Sequence, residues 1–430
     1  MITAENYQNN KASKLATGLF CLVMLLVLLN IFTPLRLIRD GIRYLNILEY
    51  FKGGLSNNSV AAHDVLPHGY PWLLFLFDKL HLPFPMAITA VNITCVLLSG
   101  YILTKLLPVD NKLIFYSLVL LSFVNIKHFT MPVSDHVFTL LFLASIYMYS
   151  QFFKGRWFYV IPALALTVAS VYFRTAGIAI VPGIAFYLIY NNRAILAANK
   201  ILTGGIIVLF VTAALLFIIN FPFFEARIGY ISQLNLGAMI NEPLSIAGRL
   251  GLHFKELGEA ALNMPYSKLA GIIKVGSFDT ARYFLIVLGA VTLYFATRAI
   301  GKLKLMDSLA FWVFLVYLVM IFLWPFYDTR FLIPVIPVFV YLLYTYLIKF
   351  VKARYVKIIP LLIYVSLGFL SLLYSDTISL NKTFFLKHYG ADPRLTEKYR
   401  THFDNLSKGA RPVYNIDADN ELFLLEKYDR

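Results

Sequence analysis

Long apolar runs, separated by short connections that carry Lys and Arg, constrain this chain more than any motif does. Most runs have the length that a helix needs to cross a bilayer, and they contain almost no charge. With 59% hydrophobic and 14% charged residues, the chain lies outside the range of soluble proteins. The sequence therefore predicts an all-α integral membrane protein with about eleven transmembrane helices. The predicted spans are 16–32, 84–106, 112–126, 135–153, 157–173, 175–191, 200–220, 281–298, 308–325, 331–350 and 356–374.

The basic residues predict how the spans are threaded. The first apolar run is not followed by an A-x-A-like cleavage site, so we expect a signal anchor with a cytoplasmic N-terminus. Threading from there places most Lys and Arg inside, as the positive-inside rule requires, and this explains the formal charge of +15 without a nucleic-acid partner. The short outer connections hold only Lys127, Arg174 and Arg330. The predicted cytoplasmic cations are Lys11, Lys14, Lys105, Lys112, Lys154, Arg156, Arg193, Lys200, Arg298, Lys302, Lys304, Lys349, Lys352, Arg354 and Lys357.

Three longer polar segments fall on the predicted outer face, so function is expected to be extracytoplasmic. Two are loops, 34–72 and 221–280, within a polytopic unit that covers 1–375. The third is a short C-terminal tail, 376–430, which is too small to form a large independent domain.

Both outer loops contain an amphipathic pattern. In the first loop, apolar residues recur at helical spacing from Ile38 to Leu48, which predicts a juxtamembrane helix lying at the membrane surface. Asp40, Arg43 and Tyr44 can point to one side of that helix. In the second loop, residues 245–263 predict a helix that ends before Pro265 and serves either as a lid over a lipid-facing groove or as a surface brace.

The order of several short motifs resembles that of polytopic GT-C glycosyltransferases, in the bacterial branch related to protein O-mannosyltransferases and lipid A aminoarabinose transferases. The resemblance covers about residues 20–350. The chain departs from the family pattern at Gly41, where many members carry a second acid, and at Pro67-His68, where Pro-Pro is usual. The motifs are Asp40-Gly-Ile-Arg43-Tyr44, Lys52-Gly53-Gly54, Pro67-His68-Gly69-Tyr70-Pro71-Trp72, Ser134-Asp135-His136, Phe173-Arg174-Thr-Ala-Gly177 and Arg330-Phe331-Leu332-Ile333-Pro334-Val-Ile-Pro337.

The resemblance implies transfer of a sugar from a polyprenyl phosphate to a lipid, glycan or protein acceptor at the outer face of a bacterial inner membrane. Direct displacement at the anomeric carbon needs a carboxylate to take the acceptor proton and cations around the departing phosphate. A lipid-borne donor also agrees with the lack of a Walker-type or Rossmann-type glycine-rich loop in the sequence.

Two acids are the predicted catalytic residues. Asp40 is the expected base, and the alternative is an acid in the first turn of a helix, paired with Arg43. Asp135 is the second candidate because an acid at the outer end of a span is costly unless it faces a cavity, and its alternative role is a helix cap with Ser134. Asp64 belongs either to a metal or acceptor site or to a solvated turn.

The lone outer cations are the predicted ligands of the donor phosphate. Arg174 and Arg330 are the main candidates, with Lys127 behind them, and the alternative for each is interfacial snorkelling. Arg43, Tyr44, His68 and Tyr70 are assigned to substrate binding, although an interfacial aromatic belt would also contain the tyrosines.

Neither a cofactor nor a metal site is assigned from the sequence. His63, His68, His128 and His136 lack metal-ligand spacing, but a divalent cation beside Asp40 or Asp135 stays open. Cys21 and Cys95 lie inside apolar runs, which excludes a disulfide framework and a zinc site.

Two other function classes remain as alternatives. A polysaccharide polymerase or ligase of the O-antigen type would place its catalytic residues in the 221–280 loop, which contains Glu225, Arg227, Arg249 and His253. A secondary transporter or lipid flippase would require ionisable residues within the spans, which are almost free of charge.

Overall fold

The computed structural model describes residues 4–57, 59–193, 246–273, 279–388 and 393–430. Within these ranges the secondary structure is helical and contains no strand, which confirms the all-α prediction. The helices are α1 (Ala4–Leu29), α2 (Arg39–Phe51), α3 (Gly69–Lys79), α4 (Phe84–Leu106), α5 (Lys112–Leu120), α6 (Phe123–His128), α7 (Asp135–Phe152), α8 (Val160–Phe173), α9 (Ile180–Asn191), α10 (Ile246–Leu262), α11 (Tyr266–Ile272), α12 (Thr280–Lys302), α13 (Leu309–Leu323), α14 (Ile336–Phe350), α15 (Arg354–Leu380), α16 (Lys382–His388), α17 (Pro393–Ser407) and α18 (Asn420–Tyr428).

Several helices are apolar enough to cross a membrane. Four have spanning length, Ser13–Phe32, Phe84–Leu106, Thr280–Lys302 and Arg354–Leu380. Shorter apolar helices cover Trp157–Phe173, Thr175–Asn191, Leu309–Leu323 and Ile336–Phe350. The predicted span 200–220 lies outside the described residues, so the count of eleven stays a prediction.

The predicted span 112–126 is divided into α5 and α6. Asn263, at the end of α10, explains where the helix breaks. Its side-chain amide donates to the carbonyl of Leu121 (2.8 Å) and accepts from the amide of Phe123 (2.6 Å). Two backbone groups at the break are therefore satisfied by a side chain instead of by a continuous helix.

Helix ends that carry Lys and Arg meet at one end of the bundle. Lys349 at the end of α14 contacts Asp110 between α4 and α5 (3.0 Å). Lys302 at the end of α12 lies over the ring of Phe350 (4.9 Å). Tyr190 at the end of α9 packs on Trp312 at the start of α13 (5.2 Å). Lys302 and Lys349, two of the predicted cytoplasmic cations, therefore lie at the same end of the bundle, while the threading itself stays a prediction.

The opposite end carries α2, α3 and the C-terminal tail. Leu45, Ile47 and Leu48 on the apolar side of α2 are fully buried in a second core that includes α3, α17 and α18. Protein therefore covers this side of α2.

The tail is tied to the segment that leads into α2. The Tyr399 hydroxyl accepts a hydrogen bond from the amide of Leu37 (2.8 Å), and the amide of Leu35 donates to Asp429 (2.7 Å). Lys427 pairs with the buried carboxylate of Glu49 on α2 (2.7 Å). The tail helices consequently support the helix on which Asp40 lies.

Helix α10, Ile246–Leu262, closely matches the predicted helix 245–263. It packs antiparallel to α12, because Gly258 meets Leu285 while Phe254 meets Gly289. Its polar side is buried as well, including His253, Glu256 and Glu259.

Candidate functional site

Residues from four separate stretches meet at the end of the bundle away from the basic helix ends. Asp40 lies in the first turn of α2 and Asp135 in the first turn of α7, where backbone amides favour a carboxylate. Arg174 follows the last residue of α8, and Arg330 lies in the 3₁₀ turn Thr329–Leu332 between α13 and α14. Thus the structure brings together the two predicted catalytic acids and the two main predicted phosphate ligands.

The guanidinium of Arg330 lies at the centre of this group. Its Nη2 is 2.7 Å from Asp40 Oδ2, and its Nε is 3.0 Å from an oxygen of Asp328 and 3.9 Å from one of Asp135. A planar guanidinium can address several carboxylates at once, which an ammonium cannot do with the same geometry. The surrounding carboxylates hold the pKa of Arg330 above its usual value, although burial acts in the opposite direction.

Asp135 is almost completely buried and forms an ion pair with Arg174. The guanidinium of Arg174 also lies 4.8 Å from the ring centre of Phe331, on which Arg330 packs at 5.4 Å. Two cations therefore compensate the charge of Asp135, as a buried carboxylate requires. Arg174 pairs with Oδ1 of this carboxylate, whereas Oδ2 lies 3.9 Å from Arg330 Nε and accepts no hydrogen bond from the residues that the structure describes.

Arg43 also belongs to the site, but its main partner is Asp64. It forms two hydrogen bonds to that carboxylate, at 2.9 and 2.5 Å, and a longer contact of 3.5 Å to Asp40. Asp64 is largely buried and also accepts from the amide of Leu66 (2.8 Å). The structure thus corrects the interpretation of Asp64 as a solvated turn residue.

Tyr44 and Tyr70 lie beneath the site. Their ring centres are 5.1 Å apart, both side chains are buried, and the Tyr44 hydroxyl is 3.0 Å from Ser134 Oγ. Burial raises the pKa of Tyr44 to about 12. Gly69, next to Tyr70, allows the start of α3 to approach the end of α8, because a Cβ there would lie 2.7 Å from the carbonyl oxygen of Tyr172. In this arrangement the two tyrosines support the first turns of α2 and α7.

His68 and Lys127 lie at the periphery. His68 packs at 5.6 Å against the ring of Phe51, and burial lowers the pKa of its imidazole. Lys127 is exposed on α6. Its ammonium is one of the charges that lower the pKa of Asp328, against the opposing effect of burial.

Asp328 is a site residue that the sequence analysis missed. Its carboxylate accepts from the amide of Arg330 (3.0 Å), which starts the 3₁₀ turn, and also pairs with the Arg330 guanidinium. The sequence signal was an acid two residues before the lone arginine of a predicted outer connection, a spacing that allows the acid to cap the turn.

The histidines do not assemble with the acids into a recognisable metal site. In the ranges that the structure covers, no group of three or more His, Cys, Asp or Glu side chains is placed to hold a metal ion. His136 is buried and stacks on Phe129 with ring centres 5.6 Å apart, and His128 Nδ1 donates to the carbonyl of Val124 (2.7 Å).

The site groups four carboxylates, of Asp40, Asp64, Asp135 and Asp328, with three guanidinium groups, of Arg43, Arg174 and Arg330. The arrangement can hold an anion by exchanging carboxylate partners and can offer a carboxylate to a nearby hydroxyl. No protein-family model, no curated protein and no solved structure matches the chain.

Proposed function

We propose that this protein is a membrane glycosyltransferase that moves a sugar from a polyprenyl-phosphate donor to a lipid, glycan or protein acceptor. The observation that carries the proposal is the convergence of Asp40, Asp135, Arg174 and Arg330 from four stretches of the chain. A displacement at an anomeric carbon needs a base and cations for the phosphate, and this group of residues contains both carboxylates and guanidinium groups.

In this proposal the distribution of Lys and Arg decides which side of the membrane the site faces. In this proposal the end of the bundle with the basic helix ends, including Lys302 and Lys349, is cytoplasmic. The site at the opposite end is then extracytoplasmic, where a sugar on a lipid phosphate is available and a cytosolic nucleotide sugar is not. The bacterial inner membrane is the location that the motif resemblance implies.

Asp40 is the base in the proposed mechanism, and Arg330 and Arg174 bind the donor phosphate. In the resting arrangement Asp40 is held by Arg330 at 2.7 Å, so it is a poor proton acceptor. An incoming phosphate is a stronger ligand for a guanidinium fork than a single carboxylate oxygen. Transfer of Arg330 from Asp40 to the phosphate would therefore free Asp40 to accept the acceptor's proton as the glycosidic bond forms.

The net charge of the site indicates that phosphate binding needs a further cation, which could be a metal ion. Four carboxylates around three guanidinium groups leave an excess of negative charge that opposes phosphate binding. Lys127 is an additional cation whose charge acts on Asp328. A divalent cation that arrives with the phosphate would supply the same compensation, and dependence of transfer on Mg²⁺ or Mn²⁺ would distinguish the two sources.

The test is sugar transfer from a radiolabelled polyprenyl-phosphate sugar pool by membranes that contain equal amounts of wild-type protein or Asp40→Asn. We expect transfer in the wild type and its loss in Asp40→Asn. Asp110→Asn is the matched control, because Asp110 is an exposed acid at the other end of the bundle. Unchanged transfer in Asp40→Asn would reject Asp40 as the base and favour the polymerase or ligase class with residues in 221–280. Absence of transfer with every donor sugar would reject the proposed reaction.

A further inference from the structure

Helix α10 lies against the connection that carries Arg330. Between the end of α13 and the 3₁₀ turn, residues 324–328 run along one side of α10. We infer that His253, Glu256 and Glu259 are positioning residues that hold Arg330 in place for the donor phosphate, acting through this connection. The inference rests on the proposed function and gives the second outer loop a role that is neither a lid nor a surface brace.

Three side chains at intervals of three residues make the contacts. His253 Nε2 donates to the carbonyl of Trp324 (2.7 Å). Glu259 accepts from the Tyr327 hydroxyl, and Glu256 accepts from the backbone amide of Asp328, both at 2.5 Å. Residues three apart lie on the same side of a helix, so one helical surface fixes three points of the connection.

The contacts lead directly to the site. Glu256 accepts a hydrogen bond from the backbone amide of Asp328. The carboxylate of Asp328 in turn accepts from the backbone amide of Arg330 and forms an ion pair with its guanidinium. A shift of the Asp328 amide would move the carboxylate that orients the guanidinium. Because Arg330 Nη2 must also reach Asp40 at 2.7 Å, such a shift would change the geometry of base and phosphate ligand together.

The charges on α10 are themselves held within the protein. His253 Nδ1 lies 2.7 Å from Glu256, and its other nitrogen meets a carbonyl, so both ring nitrogens face acceptors. These contacts raise the pKa of His253, although burial acts against protonation. Lys255 lies between the rings of Tyr266 (4.2 Å) and Tyr327 (3.9 Å). The connection is thereby held on several sides by groups that cannot be moved without leaving a buried charge or donor unpaired.

The helix also has a rigid support. At Gly258 and Gly289 the backbones of α10 and α12 approach so closely that a Cβ on either glycine would overlap a carbonyl oxygen. At its end, Asn263 bonds to the break between α5 and α6. A helix fixed in this way can serve as a reference against which the Arg330 connection is aligned.

The experiment uses the full-length protein in lipid nanodiscs and compares Glu256→Ala, Glu256→Gln and Tyr327→Phe with wild type. Hydrogen exchange of peptides that cover 324–332 measures how often the connection opens. Transfer kinetics measure KM for the donor and kcat. Gln keeps an oxygen that accepts from the Asp328 amide, whereas Ala does not. Ser267→Ala, an exposed position on α11, is the control.

We expect Glu256→Ala to accelerate exchange in 324–332 about tenfold and to raise KM for the donor about tenfold, with a smaller change in kcat, as for loss of one hydrogen bond. Glu256→Gln should restore both values, and Tyr327→Phe, which removes one hydroxyl, should shift both in the same direction by less. Unchanged exchange in Glu256→Ala, or faster exchange with unchanged KM, would overturn the inference. If wild type transfers no sugar, the proposed function fails, and exchange alone decides whether α10 positions Arg330.

Discussion

Arg330 Nη2 lies 2.7 Å from Asp40 Oδ2, although the two residues come from opposite halves of the sequence. The contact joins the first turn of α2 to the 3₁₀ turn before α14. The proposed base and the proposed phosphate ligand are therefore each other's partner before substrate binds. Substitution of either residue removes the ion-pair partner of the other. The effects of the two substitutions on transfer kinetics should therefore not be additive.

Replacement of Arg330 by Lys should impair transfer while preserving the charge. An ammonium cannot contact Asp40 and Asp328 with the planar geometry of a guanidinium, nor bind a phosphate through two parallel hydrogen bonds. We expect kcat/KM to fall about 30- to 100-fold, which corresponds to loss of a charge-assisted hydrogen bond of roughly 2 to 3 kcal/mol. The control is Arg298→Lys at the basic end of α12. Equal activities of Arg330→Lys and wild type would contradict a bidentate role.

The motif resemblance indicated Asp40, and Arg174 and Arg330 were predicted because lone cations in short predicted outer connections are unusual. The sequence did not predict Asp328, whose role depends on the 3₁₀ turn that places it beside Arg330. Helical periodicity predicted α10 but could not show that its polar side is buried, since its partners Trp324–Asp328 are distant in the chain. The break within 112–126 was missed for the same reason, because it depends on Asn263.

Gly41 shows how structure explains a departure from a motif. A Cβ at this position would lie 2.7 Å from Cγ of Pro132 and 3.3 Å from its carbonyl oxygen. The second acid that the resembled family often carries after the first has no room here. In this chain a further acid beside Arg330 comes from Asp328, far along the sequence from Asp40.

The buried pair of Asp135 and Arg174 predicts a strong coupling in stability. Asp135→Ala leaves the Arg174 guanidinium next to an empty, buried position, and Arg174→Ala leaves the carboxylate with a longer contact to Arg330. Each single substitution should destabilise the protein by about 3 to 5 kcal/mol. The double variant should lose less than the sum of the two. Thermal unfolding in detergent of wild type, the two single variants and the double variant completes a double-mutant cycle, which measures the coupling between the two residues. Additive effects would contradict a direct ion pair.

Two glycines on α10 give a matched comparison of packing. A Cβ on Gly258 would lie 2.0 Å from the carbonyl oxygen of Leu285, whereas a Cβ on Gly251 would have no neighbour within 4 Å. Gly258→Ala should force α10 away from α12 and lower stability by about 1 to 3 kcal/mol. Gly251→Ala should stabilise the helix by about 0.5 to 1 kcal/mol. Thermal unfolding and transfer activity should separate the two variants. Equal destabilisation would place the close approach of α10 and α12 elsewhere.

Burial of Glu259 predicts a pH dependence of stability in the neutral range. Burial raises the pKa of Glu259 to about 7 from an ordinary value of 4.5, although the hydrogen bond from Tyr327 and the charge of Lys255 act in the opposite direction. Between these two values the folded protein binds more protons than the unfolded chain. The stabilisation is therefore complete below about pH 4.5 and is lost as pH rises through about 7, a change on the order of 3 kcal/mol at most.

The variant Glu259→Gln isolates this effect, because a neutral amide can still accept from the Tyr327 hydroxyl. His253, Glu256 and Asp328 titrate in both proteins, so the difference between the two melting temperatures reports mainly Glu259. As pH rises from 5 to 8, we expect wild type to lose stability relative to Glu259→Gln. A difference in melting temperature that does not change with pH, or that grows in favour of wild type, would show that Glu259 is ionised throughout this range. In that case Lys255 would have to compensate its charge completely, and the Lys255→Met variant would be the more strongly destabilised at high pH.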